Sequence, residues 1–577
     1  MKVNLVSQNY TDNYLVNLLK ERGVNSLEDY LEPSLKHLQQ PEDFDNIQEG
    51  WEILKDTLNS NGSILLIVDC DVDGYTSGAI MYTYLKKLDP EVNIEYWLHE
   101  GKQHGLEDHI KKLLSQEKVY DLIICPDSSS NDEEYHTLLK ESGTKILVLD
   151  HHEVDEGQKF SSNAVIINNQ LSTQYMNKDL TGAGVAWQFC RYIDSKTDNR
   201  YADDLIDLAA LGVCGDAGSV LNMENRYIMK TGFKYINNYF FKEAIKKQDY
   251  SMKGVVNPTS VAFYIVPMMN AIVRVGTMEE KERLFMALVD GTQMVPSGKR
   301  GAKGTMEQVA IESLRECTNA KSRQNRIIES MVESLEIKIH KHDLLENKIL
   351  FVRLDDDDKF PAEITGLVAM KLAARFKRPT ILARLNSDGY NKGSLRNNND
   401  CELTDFKKFL NESGYFEYAQ GHANAAGCSI KDSNLSAFHN YANEKLKDMD
   451  FGEGMYDVHF ERAITHNDIG DLILDLGRYP EIWGQGNSEP MIHIFNILLD
   501  WKDIEIIGKG NDTLKFTING VTYIKFKATN MIEELRQLGK IKLSIIGKAN
   551  INEWAGKKTP QIMIEAYEAK TNDIYSF

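Results

Sequence analysis

Between Ile64 and about Val220 the chain alternates short, wholly apolar runs with stretches of helical periodicity. Ile64-Leu65-Leu66-Ile67-Val68 is one such run; Asp121-Leu122-Ile123-Ile124-Cys125 and Ile146-Leu147-Val148-Leu149 are two more. A strand that is apolar on both faces must be covered on both, which is the situation of a central strand in a parallel sheet. The pattern predicts an α/β domain, and each run ends in a polar cluster, where open α/β sheets place their ligands. Residues 305–345 contain no Pro or Gly and read as one long helix bridging domains. A second α/β segment follows, with a strand at 349–352 and a helix at 364–376. Beyond about residue 490, runs such as 514–518 and 522–526, separated by turns such as Asn519-Gly520, predict a small β-barrel. Five regions result: a lead-in at 1–50, a catalytic α/β domain at 51–300, a linker helix at 301–345, a second α/β domain at 346–450 and the barrel at 451–577.

The 577 residues suit about three to five folding units. Hydrophobic residues at 42% and charged residues at 26% are ordinary for a globular protein. No apolar run approaches the roughly 18 residues that span a bilayer. Met1-Lys2-Val3-Asn4 soon turns polar and lacks a signal-peptide core, so a cytoplasmic protein without a membrane is expected. Cysteines at 70, 125, 190, 214, 317, 401 and 428 form no C-x-x-C pair, which argues for reduced buried thiols over disulfides or a structural zinc site. The net charge of -20 speaks against a general polyanion binder but leaves room for a local basic groove.

Four clusters carry the candidate chemistry. Asp69-Cys70-Asp71-Val72-Asp73-Gly74 directly follows a strand, and three carboxylates this close favour a divalent cation. A solvated turn is the plain alternative; a calcium loop is disfavoured because Ile80 stands where the twelfth-position glutamate belongs. Asp127 follows the second strand and Asp150-His151-His152-Glu153 the third. Asp216 closes an apolar stretch that starts at Leu205 and reads as a fourth strand end. Oxygen ligands with one or two imidazoles suit Mn²⁺ or Mg²⁺ better than zinc, and two such ions can activate water and stabilise a phosphoryl transition state.

These residues resemble the DHH phosphoesterase family, whose naming triplet is here Asp150-His151-His152. The likeness covers nearly the whole chain and is nearest to the RecJ exonucleases. Arg22-Gly23-Val24 and Tyr30-Leu31-Glu32-Pro33 look like the opening segment. The acidic motif, Asp127, the triplet and Asp216 match the four motifs, and Leu180–Ala186, Glu224-Asn225-Arg226 and Pro267–Ala271 with Arg274 are similar to RecJ runs. Gly393-Ser394-Leu395-Arg396 and Gly421–Gly427 are similar to the DHH-associated domain, although a tight turn opening a helix also fits the second. Trp483–Pro490 and Asn552–Gly556 resemble the tail OB-fold. Residues 500–558 carry eleven Lys or Arg against seven Asp or Glu, so a basic barrel with Phe516, Tyr523, Phe526 and Trp554 could hold a strand by charge and stacking, or the aromatics could be core.

The resemblance implies a 5′→3′ exonuclease on single-stranded DNA that releases 5′-mononucleotides. Asp69, Asp71, Asp73, Asp127, His151 and Asp216 would hold two Mn²⁺ or Mg²⁺ ions, with Asp127 a bridge and His152 steadying the phosphate or leaving group. Asn270, Arg274, Ser394, Arg396, Gly421 and His422 would bind substrate. Single-stranded DNA is the expected partner of a monomer, with a single-strand-binding protein or helicase beside it. Three positions depart from the family: Ile67 stands where many relatives have His, Pro361 and Glu363 where a His is usual, and Met268 where Arg is frequent. Two alternatives stay open: a phosphodiesterase for short oligonucleotides or cyclic dinucleotides, and a non-catalytic replication scaffold.

Overall fold

The computed structural model describes all residues except 102, 155–162, 303, 356–359, 399–401, 450, 452–454, 555 and 573–577, together with the side chain of Trp554. The chain forms two compact units: residues 28–327 with 481–487, and residues 1–27 with 328–480 and 488–577.

The first unit is built on a five-stranded sheet in the order Ile94–Leu98, Ile64–Val68, Leu122–Pro126, Lys145–Asp150, Val165–Asn168. Every pairing is parallel. The apolar runs are buried on both faces, and alternate residues feed two cores. Leu65, Ile67, Ile123, Cys125, Ile146 and Val148 pack with the helices Glu107–Ser115 and Glu133–Glu141. Ile64, Leu66, Val68, Leu122, Ile124, Leu147 and Leu149 face the larger core with the helices Val72–Leu88, Gly182–Thr197 and Ile206–Gly215.

Among the described residues the second unit holds two larger sheets and a two-stranded one, Lys2–Leu5 with Met455–Val458. One larger sheet runs Phe416–His422, Ala425–Lys431, Tyr390–Arg396, Thr380–Leu385, Leu350–Leu354 and is antiparallel except for its last pair. The other is a mixed seven-stranded sheet that contains the hairpin Lys540–Trp554 with Lys557–Thr571.

Several sequence expectations shift. The long helix is Val309–Lys341; Met306–Gln308 before it is a strand paired with Met294–Pro296. The lead-in divides between the two units: strand Lys2–Leu5 pairs in parallel with Met455–Val458. The run Glu481–Asn487, expected with the C-terminal barrel, belongs to the first unit. There the Val220 amide donates to Gln485 O at 2.9 Å, and Asn487 Nδ2 donates to the Tyr30 hydroxyl at 3.0 Å. The window Pro258–Val275 has mean hydropathy 1.2 over 18 residues, but Thr259, Ser260, Asn270 and Arg274 interrupt it, so it is no continuous apolar run. It is half buried and divides into the helices Pro258–Tyr264 and Val266–Val275. Six described cysteines are free and buried; Cys401 lies outside the described residues. Phe516 and Tyr523 are fully buried and stack on each other at 4.8 Å, so both are core rather than a binding platform. Phe526 alone of the described set is open, at 59% exposure.

Candidate metal centre

The turn from the strand Ile64–Val68 into the helix Val72–Leu88 decides where the first three carboxylates go. Asp71 caps the helix, accepting from the Gly74 amide at 2.9 Å. Helix N-termini favour negative charge, so this turn is suited to carry it. Asp69 is buried at the strand end. Asp73, one turn in, is buried and committed: its oxygens accept from Thr181 Oγ1 at 2.9 Å and from the amides of Gly182 and Ala183 at 2.7 and 3.1 Å.

Asp127 leaves the strand Leu122–Pro126 with φ of 66° and its amide on Leu149 O at 2.8 Å. Its side chain points against the N-terminus of Gly182–Thr197, where a Cβ at residue 182 would lie 2.5 Å from Asp127 Cβ. His151 Nε2 is 3.2 Å from Asp127 Oδ1, 3.5 Å from Asp216 Oδ2 and 3.9 Å from Asp73 Oδ2. Asp216 ends the helix Ile206–Gly215, not a strand. Its apolar lead-in is buried all round, and periodicity alone does not separate a buried helix from a buried strand.

Ligand atoms of Asp69, Asp71 and Asp127 lie within 4.8 Å of one another. So do those of Asp73, His151 and Asp216, and those of Asp127, His151 and His152. Asp127 Oδ1 and His151 Nε2 are buried with no hydrogen-bond partner. Burial, with the charges of Asp73, Asp71, Asp69 and Asp216, holds the Asp127 carboxyl far above its ordinary range. Asp216, which keeps a solvent-facing edge, is pushed up to about 8 by partial burial and by Asp73 and Asp71. Burial pushes the His151 imidazole down, to the neutral state that ligates metals. Unsatisfied acceptors and self-repelling carboxylates are what divalent cations relieve. The oxygen-rich donor set with one imidazole fits Mn²⁺ or Mg²⁺.

His152 is set differently. Burial lowers its pKa, but the charge of Asp150 and the 2.8 Å bond from Nδ1 to Asp150 Oδ1 outweigh this and hold the imidazole at about 9. Asp150 also accepts from the amides of Ser130 and His151 at 3.0 and 2.7 Å.

Asn270 and Arg274 lie one turn apart on Val266–Val275. Asn270 Oδ1 is buried without a partner. Burial lowers the Arg274 pKa while the charges of Asp71 and Cys70 raise it, which places the guanidinium by the acidic turn. The remaining substrate candidates sit in the other compact unit. Arg396 and His422 both pair with Ala425, and Ser394 pairs with Gly427, so the three share one face at one end of the sheet. Gly421 has φ of 127°, backbone that favours glycine.

The sequence model of the DHH family, N-terminal domain, matches residues 63–213, and that of the RecJ OB domain matches 463–566. The putative SPbeta prophage-derived single-strand DNA-specific exonuclease YorK of Bacillus subtilis (strain 168) is 37% identical, over 98% of each chain. This chain belongs to the DHH family, in its RecJ-like branch. The single-stranded-DNA-specific exonuclease RecJ of the same bacterium is 24% identical over 97% of this chain and 69% of its own. In fold, the RecJ-like chain matches RecJ from Thermus thermophilus in complex with Mn²⁺ at a TM-score of 0.70 and 20% identity, covering 95% of this chain and 74% of that one. The Mg²⁺ complex matches at 0.64 and 19%, covering 95% and 73%.

Sequence reasoning missed Asp150 as the anchor of His152 and Thr181 as a holder of Asp73. The first was legible as the leading letter of the triplet; the second was not, because it depends on a contact 108 residues away.

Proposed function

We propose that this protein is a two-metal exonuclease that degrades single-stranded DNA from the 5′ end and releases 5′-mononucleotides. The observation that carries the reading is the gathering of Asp69, Asp71, Asp127, His151 and Asp216 from four separated stretches around two orphaned ligand atoms, Asp127 Oδ1 and His151 Nε2. Asp127, common to the group of Asp69 and Asp71 and to that of His151 and His152, would serve both ions. Asp73, whose ligand atom lies within 4.8 Å of those of His151 and Asp216, would hold an ion with them, and its bonds from Thr181, Gly182 and Ala183 orient it for that. When bound, the ions would supply Lewis acidity and a deprotonated water for attack on the phosphodiester. His152, kept cationic by Asp150, donates a hydrogen bond to the scissile phosphate or the leaving oxygen. Arg274 and Asn270 bind nucleotide beside the ions; Ser394, Arg396, Gly421 and His422, in the other compact unit, bind substrate phosphate. The names of the relatives, single-strand DNA-specific exonucleases, support the substrate. We place the enzyme in the cytoplasm as a monomer, working beside a single-strand-binding protein or helicase.

Purified protein with Mn²⁺ should shorten single strands and release mononucleotides from a 5′ label first. Asp127→Ala and His151→Ala should remove several orders of magnitude of rate. Undiminished activity in those variants overturns the reading, and release from a 3′ label overturns the polarity. The smaller-substrate alternative predicts activity confined to oligonucleotides of a few residues. Intact-chain substrates are the right discriminator. Truncation after residue 455 would remove the Glu481–Asn487 segment from the catalytic unit itself.

A further inference from the structure

Asp69 has a second set of neighbours that two-ion hydrolysis does not use. His104, in the loop after the strand Ile94–Leu98, places Nδ1 2.6 Å from Asp69 Oδ2. Cys70 Sγ lies 3.7 Å from the same nitrogen. The ligand atoms of all three residues fall within 4.8 Å of one another. On the other side of Asp69 stands His99, 3% exposed, with Nε2 3.9 Å from Asp69 Oδ1. Neither ring nitrogen of His99 has a hydrogen-bond partner. Its Nδ1 faces Asp108 Oδ2 at 3.6 Å, too long for a hydrogen bond, and a buried imidazole without hydrogen bonds is costly; such groups mark positions where a ligand completes the bonding.

The donor chemistry differs from that of the main centre. Asp69, Asp71, Asp127 and Asp216 offer hard oxygens, whereas this corner offers a thiol, imidazoles and a single carboxylate. Sulfur with nitrogen selects a borderline-soft ion, and Mg²⁺ and Mn²⁺ have little preference for it. Zinc bonds of about 2.0–2.3 Å set tetrahedral ligands a little under 4 Å apart, a spacing the trio reaches by small side-chain rotations.

We propose that Cys70, His104 and Asp69, with His99 behind them, form a distinct site for Zn²⁺ or a similarly thiophilic divalent ion beside the Mn²⁺/Mg²⁺ pair. Binding releases the Cys70 thiol proton and the proton shared by Asp69 and His104 to solvent, and no oxidation state changes. Asp69 also belongs to the group with Asp71 and Asp127, so Zn²⁺ at this corner draws a ligand away from the hydrolytic ions. Zinc is then an inhibitor that acts without displacing DNA. This last consequence rests on the exonuclease reading; the site itself does not.

The test uses full-length protein saturated with Mn²⁺ and titrated with Co²⁺ as a spectroscopic substitute for Zn²⁺. The wild type should develop a thiolate-to-cobalt charge-transfer band that one equivalent of Zn²⁺ bleaches. Cys70→Ser should lack the band, His104→Gln should need at least tenfold more Co²⁺, and Cys428→Ser, altered in the other unit, should keep it. Melting curves of each variant identify any that fail to fold. In nuclease assays the Zn²⁺ concentration for half-inhibition should rise at least tenfold in Cys70→Ser. Absence of the band in the wild type, or its survival in folded Cys70→Ser, overturns the proposal. A band in a protein with no nuclease activity leaves the zinc site standing and removes the exonuclease reading instead.

Discussion

Gly182→Ala isolates the positioning of Asp127 from its chemistry. Gly182 opens the helix Gly182–Thr197, and a Cβ there would lie 2.5 Å from Asp127 Cβ and 2.6 Å from Cγ. Carbon atoms rest at about 3.5–4.0 Å, so roughly 1 Å of movement is required. The neighbour is not the free end of a long side chain. Asp127 is short, stands at φ of 66° and has its amide tied to Leu149 O. The helix cannot retreat freely either, since its first amides hold Asp73 at 2.7 and 3.1 Å. Metal and catalytic constellations tolerate about 0.5 Å, and a displacement near 1 Å costs on the order of 100-fold in rate, about 2.7 kcal/mol of transition-state stabilisation.

Stability should respond differently. Replacing Gly by Ala in a helix is worth up to about 1 kcal/mol, while overpacking costs about 1–3 kcal/mol. The two partly cancel. The expected variant is therefore folded, melts within a few degrees of the wild type, and has kcat reduced about 100-fold together with weaker Mn²⁺ binding. Gly470→Ala is the control: it lies in the first turn of Ile469–Leu476, and its added Cβ meets nothing nearer than Pro560 Cγ at 4.0 Å. It should keep full activity. Initial rates on a 5′-labelled oligonucleotide and calorimetric Mn²⁺ titration read both quantities. Wild-type kcat and Mn²⁺ affinity in Gly182→Ala would refute the claim that this contact sets the bridging carboxylate.

Other perturbations probe the second unit. Arg462 is 2% exposed, bonds Asp468 at 2.8 Å and Asn9 Oδ1 at 2.5 Å, and so ties the N-terminal segment down. Arg462→Met removes this pair but leaves Asp468 partly exposed and bonded to the Tyr14 hydroxyl, and should cost about 1–3 kcal/mol, read as lost hydrogen-exchange protection in Lys2–Leu5. Burial, with the nearby charge of Arg22, pushes His459 down to about 4. Between its unfolded value near 6.5 and that figure, the unfolded chain binds a proton that the folded chain refuses, so stability is intact above this window and falls as pH drops through it. His459→Asn should flatten the acid limb of a Tm-against-pH profile by up to about 1.4 kcal/mol per pH unit. An unchanged limb rules out that origin. Phe526→Ala should leave Tm unchanged and weaken single-strand binding by about 1–3 kcal/mol in fluorescence anisotropy, whereas Tyr523→Ala should lose about 3–5 kcal/mol of stability. Wild-type binding by Phe526→Ala removes that ring from the interface.

The parallel sheet was legible because burial on both faces leaves a strand no polar position. Ile64–Val68 and Leu122–Pro126 are buried at every residue, and that requirement is written in the composition of the run. The same saturation misled at Asp216, where a helix buried all round carries no period to distinguish it from a strand. Elements joined over long sequence distances were beyond local pattern. The parallel pairing of Lys2–Leu5 with Met455–Val458 and the seating of Glu481–Asn487 beside Val220 and Tyr30 are contacts of this kind. In the seven-stranded sheet, alternation identified strands but not which face is covered. Phe516 and Tyr523 pair across neighbouring strands and stack inside, while Phe526 falls just beyond the strand Val521–Lys525 and stays open.

The acidic motif shows why residue type alone does not assign a role. Asp69, Asp71 and Asp73 are equivalent by spacing, yet the helix that begins at Val72 rotates each into a different electrostatic setting. Asp73 meets helix amides that orient it, yet burial still raises its pKa, and it stays grouped with His151 and Asp216. Asp71 caps its own helix and keeps contact with the ligand cluster. Asp69 is left between the hard-oxygen group and the His104–Cys70 corner, a carboxylate common to both. An ion at either position lowers the charge that Asp69 can lend to the other. Competition between hard and soft cations is therefore a property of the turn itself, and it follows from a single added imidazole on a loop 35 residues downstream.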